Sequence, residues 1–158
     1  MTSNEMERAG NGVEDLDELT LGSRLSELER LPGWIDAIAA RFGFTENTRF
    51  AVQLCLEEAV SNVIRHGYAN QDGQFLTVQC TEPHEGYVVF TVEDNAAPFN
   101  PLESAALPAV GDQDPSDLGG QGIRLMRGFA DTLEYEAKAG GNRLILGFSN
   151  AGANAGDL

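Results

Sequence analysis

Basic residues are scarce in this chain of 158: 10 Lys and Arg stand against 25 Asp and Glu, a formal charge of −15. That imbalance argues against a sequence-independent grip on nucleic-acid phosphates or on an anionic membrane surface. It favours a partner with basic patches. Cysteine is nearly absent too. Cys55 and Cys80 are the only two, both in apolar contexts and without metal-ligand spacing, and read as reduced core thiols. Long hydrophobic runs are missing: no segment approaches about 18 apolar residues, and Met1–Gly12 is polar rather than basic-then-apolar. The expectation is a soluble, cytoplasmic protein with no direct contact to nucleic acid or membrane. At 42% hydrophobic residues the chain has enough apolar material for one domain with a real core.

The periodicity divides the chain into three parts. Residues 1–18 read as a flexible acidic arm, 19–149 as the folded domain and 150–158 as a flexible tail. Leu19–Gly22 suggests a short strand. Ser23 then opens a helix with Leu25, Leu28, Leu31, Ile35, Ile38 and Phe42 at helical spacing, interrupted at Pro32-Gly33 and stopped at Gly43. Thr45 is the expected N-cap of a second helix running to about His66 and ending at Gly67. Gln74–Thr81 and Tyr87–Val92 read as a hairpin around Pro83–Gly86, and Asp131–Lys138 and Asn142–Phe148 as another around Gly140-Gly141. A third helix is expected after Gly122.

Between Asp94 and Gly122 the pattern disappears. Pro98, Pro101, Pro108 and Pro115 punctuate the stretch, which ends in Gly119-Gly120-Gln121-Gly122. So long a structureless segment in a compact domain reads as a functional lid.

Chemistry concentrates in Leu54–Tyr68, LCLEEAVSNVIRHGY. Glu58, Asn62 and His66 lie four residues apart, so at about 100° per residue they fall within about a quarter turn. Val52, Leu56, Ala59 and Val63 form the neighbouring apolar stripe. Burying a carboxylate, an amide and an imidazole beside a core-facing stripe is costly without partners, so something polar should meet that face. Two more patches stand out: Asp94 at the end of an apolar strand, with Asn95-Ala96-Ala97-Pro98-Phe99 after it, and the glycine run before Ile123. Singly, each has a bland explanation: a solvated helix face, turn chemistry, a tight helix entry. Their order and spacing are more specific.

Together these patches resemble the GHKL (Bergerat-fold) ATPases, and most closely the anti-sigma-factor serine/threonine kinases. The helix motif of that group, E-A-V-x-N-x-x-x-H-G-Y, is reproduced by Glu58-Ala59-Val60-Ser61-Asn62 through His66-Gly67-Tyr68. Gly119–Met126, Asp131, Tyr135, Asn142 and Leu144 continue the likeness, which spans roughly residues 20–148. The resemblance implies an α/β two-layer sandwich: a mixed, largely antiparallel sheet with helices on one face. It implies ATP and Mg²⁺ as cofactors, with Asn62 offering the metal a neutral oxygen and Glu58 acting as general base or orienting the attacking hydroxyl or water. Asp94 would accept a hydrogen bond from the adenine amino group, with Ala96 and Phe99 beside it. Gly119, Gly120, Gln121, Gly122 and Ile123 would present backbone N–H groups to the phosphates. His66 reads more as a helix-end residue, and Tyr68 as packing.

The implied activity is phosphorylation of a serine on an anti-anti-sigma (STAS-type) protein by a chain that also holds a sigma factor inactive. A homodimer is compatible with it. Two departures favour an alternative, a nucleotide-binding or nucleotide-independent adaptor of the same fold that sequesters a partner without phosphoryl transfer. Ala96 replaces a glycine found in many members, and no Lys or Arg occurs from Asn95 to Ile123, where Glu103, Asp112, Asp114 and Asp117 do. The charge that meets the terminal phosphate would have to come from Arg124, Arg65, Arg143, a partner or the metal alone. The catalytic domain of a two-component histidine kinase shares these boxes, but it needs a separate helical hairpin carrying the phosphoacceptor histidine.

Overall fold

From Phe75 to Cys80 and along Tyr87–Asp94 every second side chain is buried: Leu76, Val78 and Cys80 on one strand, Val88, Phe90, Val92 and Asp94 on the next. That period of two is what a sheet with one covered face demands. The structure, a computed structural model, describes residues 18–104 and 118–150. The arm expected at the N-terminus and most of the expected tail lie outside the described residues. So does the central part of the expected lid.

Five strands form one sheet: β1 (Glu18–Gly22), β2 (Phe75–His84), β3 (Tyr87–Asp94), β4 (Thr132–Lys138) and β5 (Gly141–Ser149). Their order is β1-β2-β3-β5-β4, and every pairing is antiparallel. Among the described residues four α-helices accompany them: α1 (Leu31–Phe42), α2 (Glu46–Asn62), α3 (Pro101–Ser104) and α4 (Leu118–Phe129). Leu31, Ile35 and Ile38 of α1, Val52, Leu56 and Val60 of α2, and Ile123 and Met126 of α4 share one core with the covered face of the sheet. Phe90 sits at its centre, edge-on to Trp34 at 6.0 Å and to Phe148 at 5.9 Å. The fold is the two-layer sandwich expected, with a sheet antiparallel throughout. Among the described residues no helix is long and apolar enough to cross a membrane.

Several boundaries differ from the sequence reading, each for a local reason. The first helix is split: Leu25–Arg30 is a 3-10 turn, and α1 begins at Leu31 with Pro32 in its first turn, where a missing N–H costs nothing. β2 runs on through Pro83 and His84, past the end of its pairing with β1 at Gln79, with a register shift between Thr81 and His84. Proline is tolerated there because, among the described residues, no strand pairs with that side of β2 beyond Gln79. At the other end of the domain, Ser149 belongs to β5. Asn150 is buried, its Nδ2 donating to the carbonyl of Phe42 at 3.0 Å. Asn150, the first residue of the expected tail, is thus held against the end of α1.

The α-helical part of α2 ends at Asn62, and Val63–Gly67 continue as a single π turn. Tyr68 N–H donates to the Val63 carbonyl at 2.7 Å, and Asn70 N–H to that of Ile64 at 2.8 Å. The chain leaves this turn through Ala69 at φ 51° and Asn70 at φ 59°. Asparagine tolerates the left-handed region; alanine is strained there by about 1 kcal/mol or more. Ala69→Gly is therefore expected to raise the unfolding free energy by about 0.5 kcal/mol after its larger unfolded-state entropy is subtracted, measurable by denaturant titration.

Cys55 and Cys80 are both buried in the core. Burial, reinforced by the Glu58 carboxylate, pushes the Cys55 thiol up to about 12. The folded value lies above the unfolded one of about 8.5, so the stabilisation is complete below that pH and is lost as pH rises toward 12. The unfolding free energy should fall with increasing pH above about 8.5, by at most about 1.4 kcal/mol per unit from this group. Comparing the slope of the parent with that of Cys55→Ala isolates it.

Candidate functional site

The long second helix carries the first two residues. Thr45 caps α2, its Oγ1 accepting from Thr48 N–H at 3.1 Å. The buried stripe Val52, Cys55, Leu56, Ala59 and Val60 fixes the helix rotation on the sheet. That rotation leaves Glu58 and Asn62 half-buried at the rim of the core. They lie one turn apart, about 6 Å along the axis. Among the described residues none hydrogen-bonds the Glu58 carboxylate or the Asn62 amide. His66, in the π turn, is exposed.

Glu58 meets α4. A methyl group built on Gly122 would meet Oε2 of Glu58, the flexible end of that side chain, so the carboxylate in its present position rests against the bare backbone of the helix. The sequence reading placed the start of this helix after Gly122; the structure starts it at Leu118. Gly119, Gly120, Gln121 and Gly122 thus lie inside the helix rather than in a loop leading to it. Three glycines in four positions disfavour a helix by roughly 1 kcal/mol each, which is why composition placed the boundary late. Packing of Ile123 and Met126 into the core overrides that preference. Ile123 lies further along this helix. Its side chain is 2% exposed and belongs to the core, and its N–H lies beyond the first turn, where the free donors of a helix are found.

Asp94 closes β3 and is buried, 5% exposed. Its Oδ1 accepts from Ala96 N–H at 2.9 Å and from Asn142 Nδ2 at 2.9 Å. Among the described residues no hydrogen bond reaches Oδ2. A methyl on Gly141 would collide with the Asp94 carbonyl, so the bare Gly141 lets β5 approach the end of β3. Ala96 is buried, and positive φ is confined to other residues, so the backbone there does not require the glycine that many relatives carry. A Cβ on Gly67 would stand 3.3 Å from that of Ala96, which places the end of the π turn against the Asp94 loop. Phe99 is exposed, its N–H donating to Asn142 Oδ1 at 2.8 Å.

Tyr68 does more than pack. Its hydroxyl donates to the Phe75 carbonyl at 2.7 Å and accepts from Asn95 N–H at 2.8 Å, which joins the end of the π turn to the Asp94 loop. Burial raises its phenol above the ordinary value, so it remains a neutral donor and acceptor. One of the three candidate cations is excluded. Arg143 projects from the uncovered sheet face, bonded to Glu93 at 3.2 Å and Glu136 at 3.0 Å. Arg65 and Arg124 are exposed on the π turn and on α4.

The fold thus places Glu58 against Gly122, and the π turn that follows Asn62 against the loop that follows Asp94. Over residues 21–148 the chain matches the histidine kinase-like ATPase domain family, and it belongs to that GHKL-type family. Among curated proteins it is similar to the serine/threonine-protein kinase BtrW of Bordetella bronchiseptica, 31% identical over 115 residues, covering 72% of this chain and 79% of the relative. It is also similar to an anti-sigma F factor of Clostridium perfringens, 28% identical over 113 residues, covering 71% and 80%. Among solved structures, the RsbU and RsbW domains of Rv1364c from Mycobacterium tuberculosis align with TM-score 0.57 at 16% identity, over 84% of this chain and 31% of that one. A blue-light activated histidine kinase of Erythrobacter litoralis aligns with TM-score 0.55 at 15% identity, over 79% and 43%. The chain spans less than half of either solved protein, and at these identities the likeness concerns the fold.

Proposed function

We propose that this chain is a cytoplasmic protein-serine kinase of a partner-switching system, using ATP with Mg²⁺ to phosphorylate a STAS-type anti-anti-sigma protein and sequestering a sigma factor when that antagonist is phosphorylated. The observation that carries the reading is the Glu58 carboxylate, half-buried, unpaired among the described residues and resting against the bare Gly122 of α4. A carboxylate so placed can take the proton of a serine hydroxyl as its oxygen forms a bond to the γ-phosphorus and ADP leaves. Residues 19–149 form the nucleotide-binding unit in this reading. Asp94 Oδ2 accepts the adenine amino group. The first turn of α4, Leu118–Gln121, offers backbone N–H groups to the phosphates.

The residues present fit a magnesium ion of the kind that kinases use. Among the described residues no cluster of three or more His, Cys, Asp or Glu could hold a metal alone. Asn62 offers one neutral oxygen, and Mg²⁺ takes most of its ligands from phosphates and water. When bound, the ion neutralises charge on the phosphates. The names of the relatives support both the kinase and the anti-sigma parts of the reading.

The cation-free stretch from Asn95 to Ile123, together with Arg143 held by Glu93 and Glu136, favours a second reading. In it the chain binds nucleotide and partner without transferring phosphate. Incubation with ATP, Mg²⁺ and a STAS-type antagonist separates the two. Phosphoserine is the expected product. Its absence while nucleotide is bound leaves the adaptor, and absence of ATP binding overturns both.

A further inference from the structure

Asn142 lies directly across the sheet from Asp94 in the β3–β5 register and is 8% exposed. Its amino group faces three acceptors: Asp94 Oδ1 at 2.9 Å, the Ala97 carbonyl at 3.1 Å and the Ala96 carbonyl at 3.4 Å. Its carbonyl oxygen faces two donors, Phe99 N–H at 2.8 Å and the Tyr135 hydroxyl. Reversal of the amide would set oxygen against three acceptors and N–H₂ against the Phe99 N–H, so the partners themselves assign its orientation. One side chain therefore satisfies the backbone of residues 96–99 and one oxygen of a buried carboxylate at once. Tyr68 braces the same loop from the opposite side through Asn95 N–H.

From this arrangement we infer that Asn142 is a positioning residue for base selectivity: by engaging Asp94 Oδ1 it turns the other carboxylate oxygen, Oδ2, toward the bound base as the acceptor of an N–H donor. The inference rests on the reading of Asp94 as the base-recognising group. Asn142 need not touch the nucleotide, because it acts through Asp94 and the loop. Tyr135 acts one step further back, holding the amide in the orientation that presents its amino group to Asp94.

The test compares ATP with purine riboside triphosphate, which lacks the amino group, by calorimetry on the full chain. The parent is expected to prefer ATP by at least about tenfold, the scale of a hydrogen bond to a charged group. Asn142→Leu, nearly isosteric, should bring the two affinities within about twofold of each other. Tyr135→Phe, the milder change, should shrink the preference about threefold and carries the test if Asn142→Leu does not fold. A purely structural role would weaken both nucleotides equally, and an unchanged ratio in the folded variants overturns the inference. If the parent itself shows no preference, the reading of Asp94 fails instead.

Discussion

Glu58→Gln should bind ATP within about threefold of the parent and lose phosphoryl transfer by a hundredfold or more. Glutamine has the length of glutamate and keeps the approach to Gly122. What it loses is the capacity to accept a proton, and removal of a positioned base typically costs 10²–10⁴ in rate. The helix itself should tolerate the change, because no described residue pairs with the carboxylate. Single-turnover transfer to the antagonist, alongside calorimetry with ATP, separates the two effects. Equal transfer by parent and variant would remove Glu58 from the chemistry.

Asp94→Asn should weaken ATP by roughly ten- to a hundredfold and reduce or reverse the preference over GTP. The direction follows from geometry. Oδ1 is met by two donors, Ala96 N–H and Asn142 Nδ2, so an introduced amide keeps its oxygen there and puts its N–H₂ where Oδ2 stood. A donor at that point opposes the adenine amino group and suits the guanine carbonyl. Titrating both triphosphates into the variant reads the ratio directly. A variant that keeps the parental ratio would show that the base lies elsewhere.

The two predictions depend on different parts of the structure, and those parts differ in how far the sequence shows them. The strands and the two long helices are visible from periodicity because each has one buried face: Leu76, Val78 and Cys80 alternate on β2, and Val52, Leu56 and Ala59 recur on α2. The π turn at Val63–Gly67 is not visible, since one extra residue per turn over five residues leaves the apolar spacing nearly unchanged. The early start of α4 is hidden for the opposite reason. Glycine composition predicts a loop, and the packing that overrides it, Ile123 and Met126 in the core with Gly122 on Glu58, joins segments more than sixty residues apart in the chain.

The hub at Asn142 illustrates what spacing cannot carry. Asn142 and Tyr135 are visible in the sequence as part of a family likeness, with no indication of what they touch. Only the register that sets Asp94 opposite Asn142 reveals that one amide serves both the carboxylate and the loop. Tyr68 was likewise expected to pack, and its hydroxyl turns out to tie Phe75 to Asn95. Ala96 shows the reverse: it stands where many members carry glycine, yet its φ is not positive and alanine suits the backbone there.

The most direct measurement is a crystal structure of the chain grown with Mg²⁺ and a non-hydrolysable ATP analogue. The account predicts the adenine amino nitrogen within about 3.2 Å of Asp94 Oδ2, phosphates at the first turn of α4, and the metal on Asn62 with Glu58 facing the terminal phosphate. A nucleotide lodged away from Asp94, or phosphates in a compartment that neither Glu58 nor Asn62 faces, would contradict it.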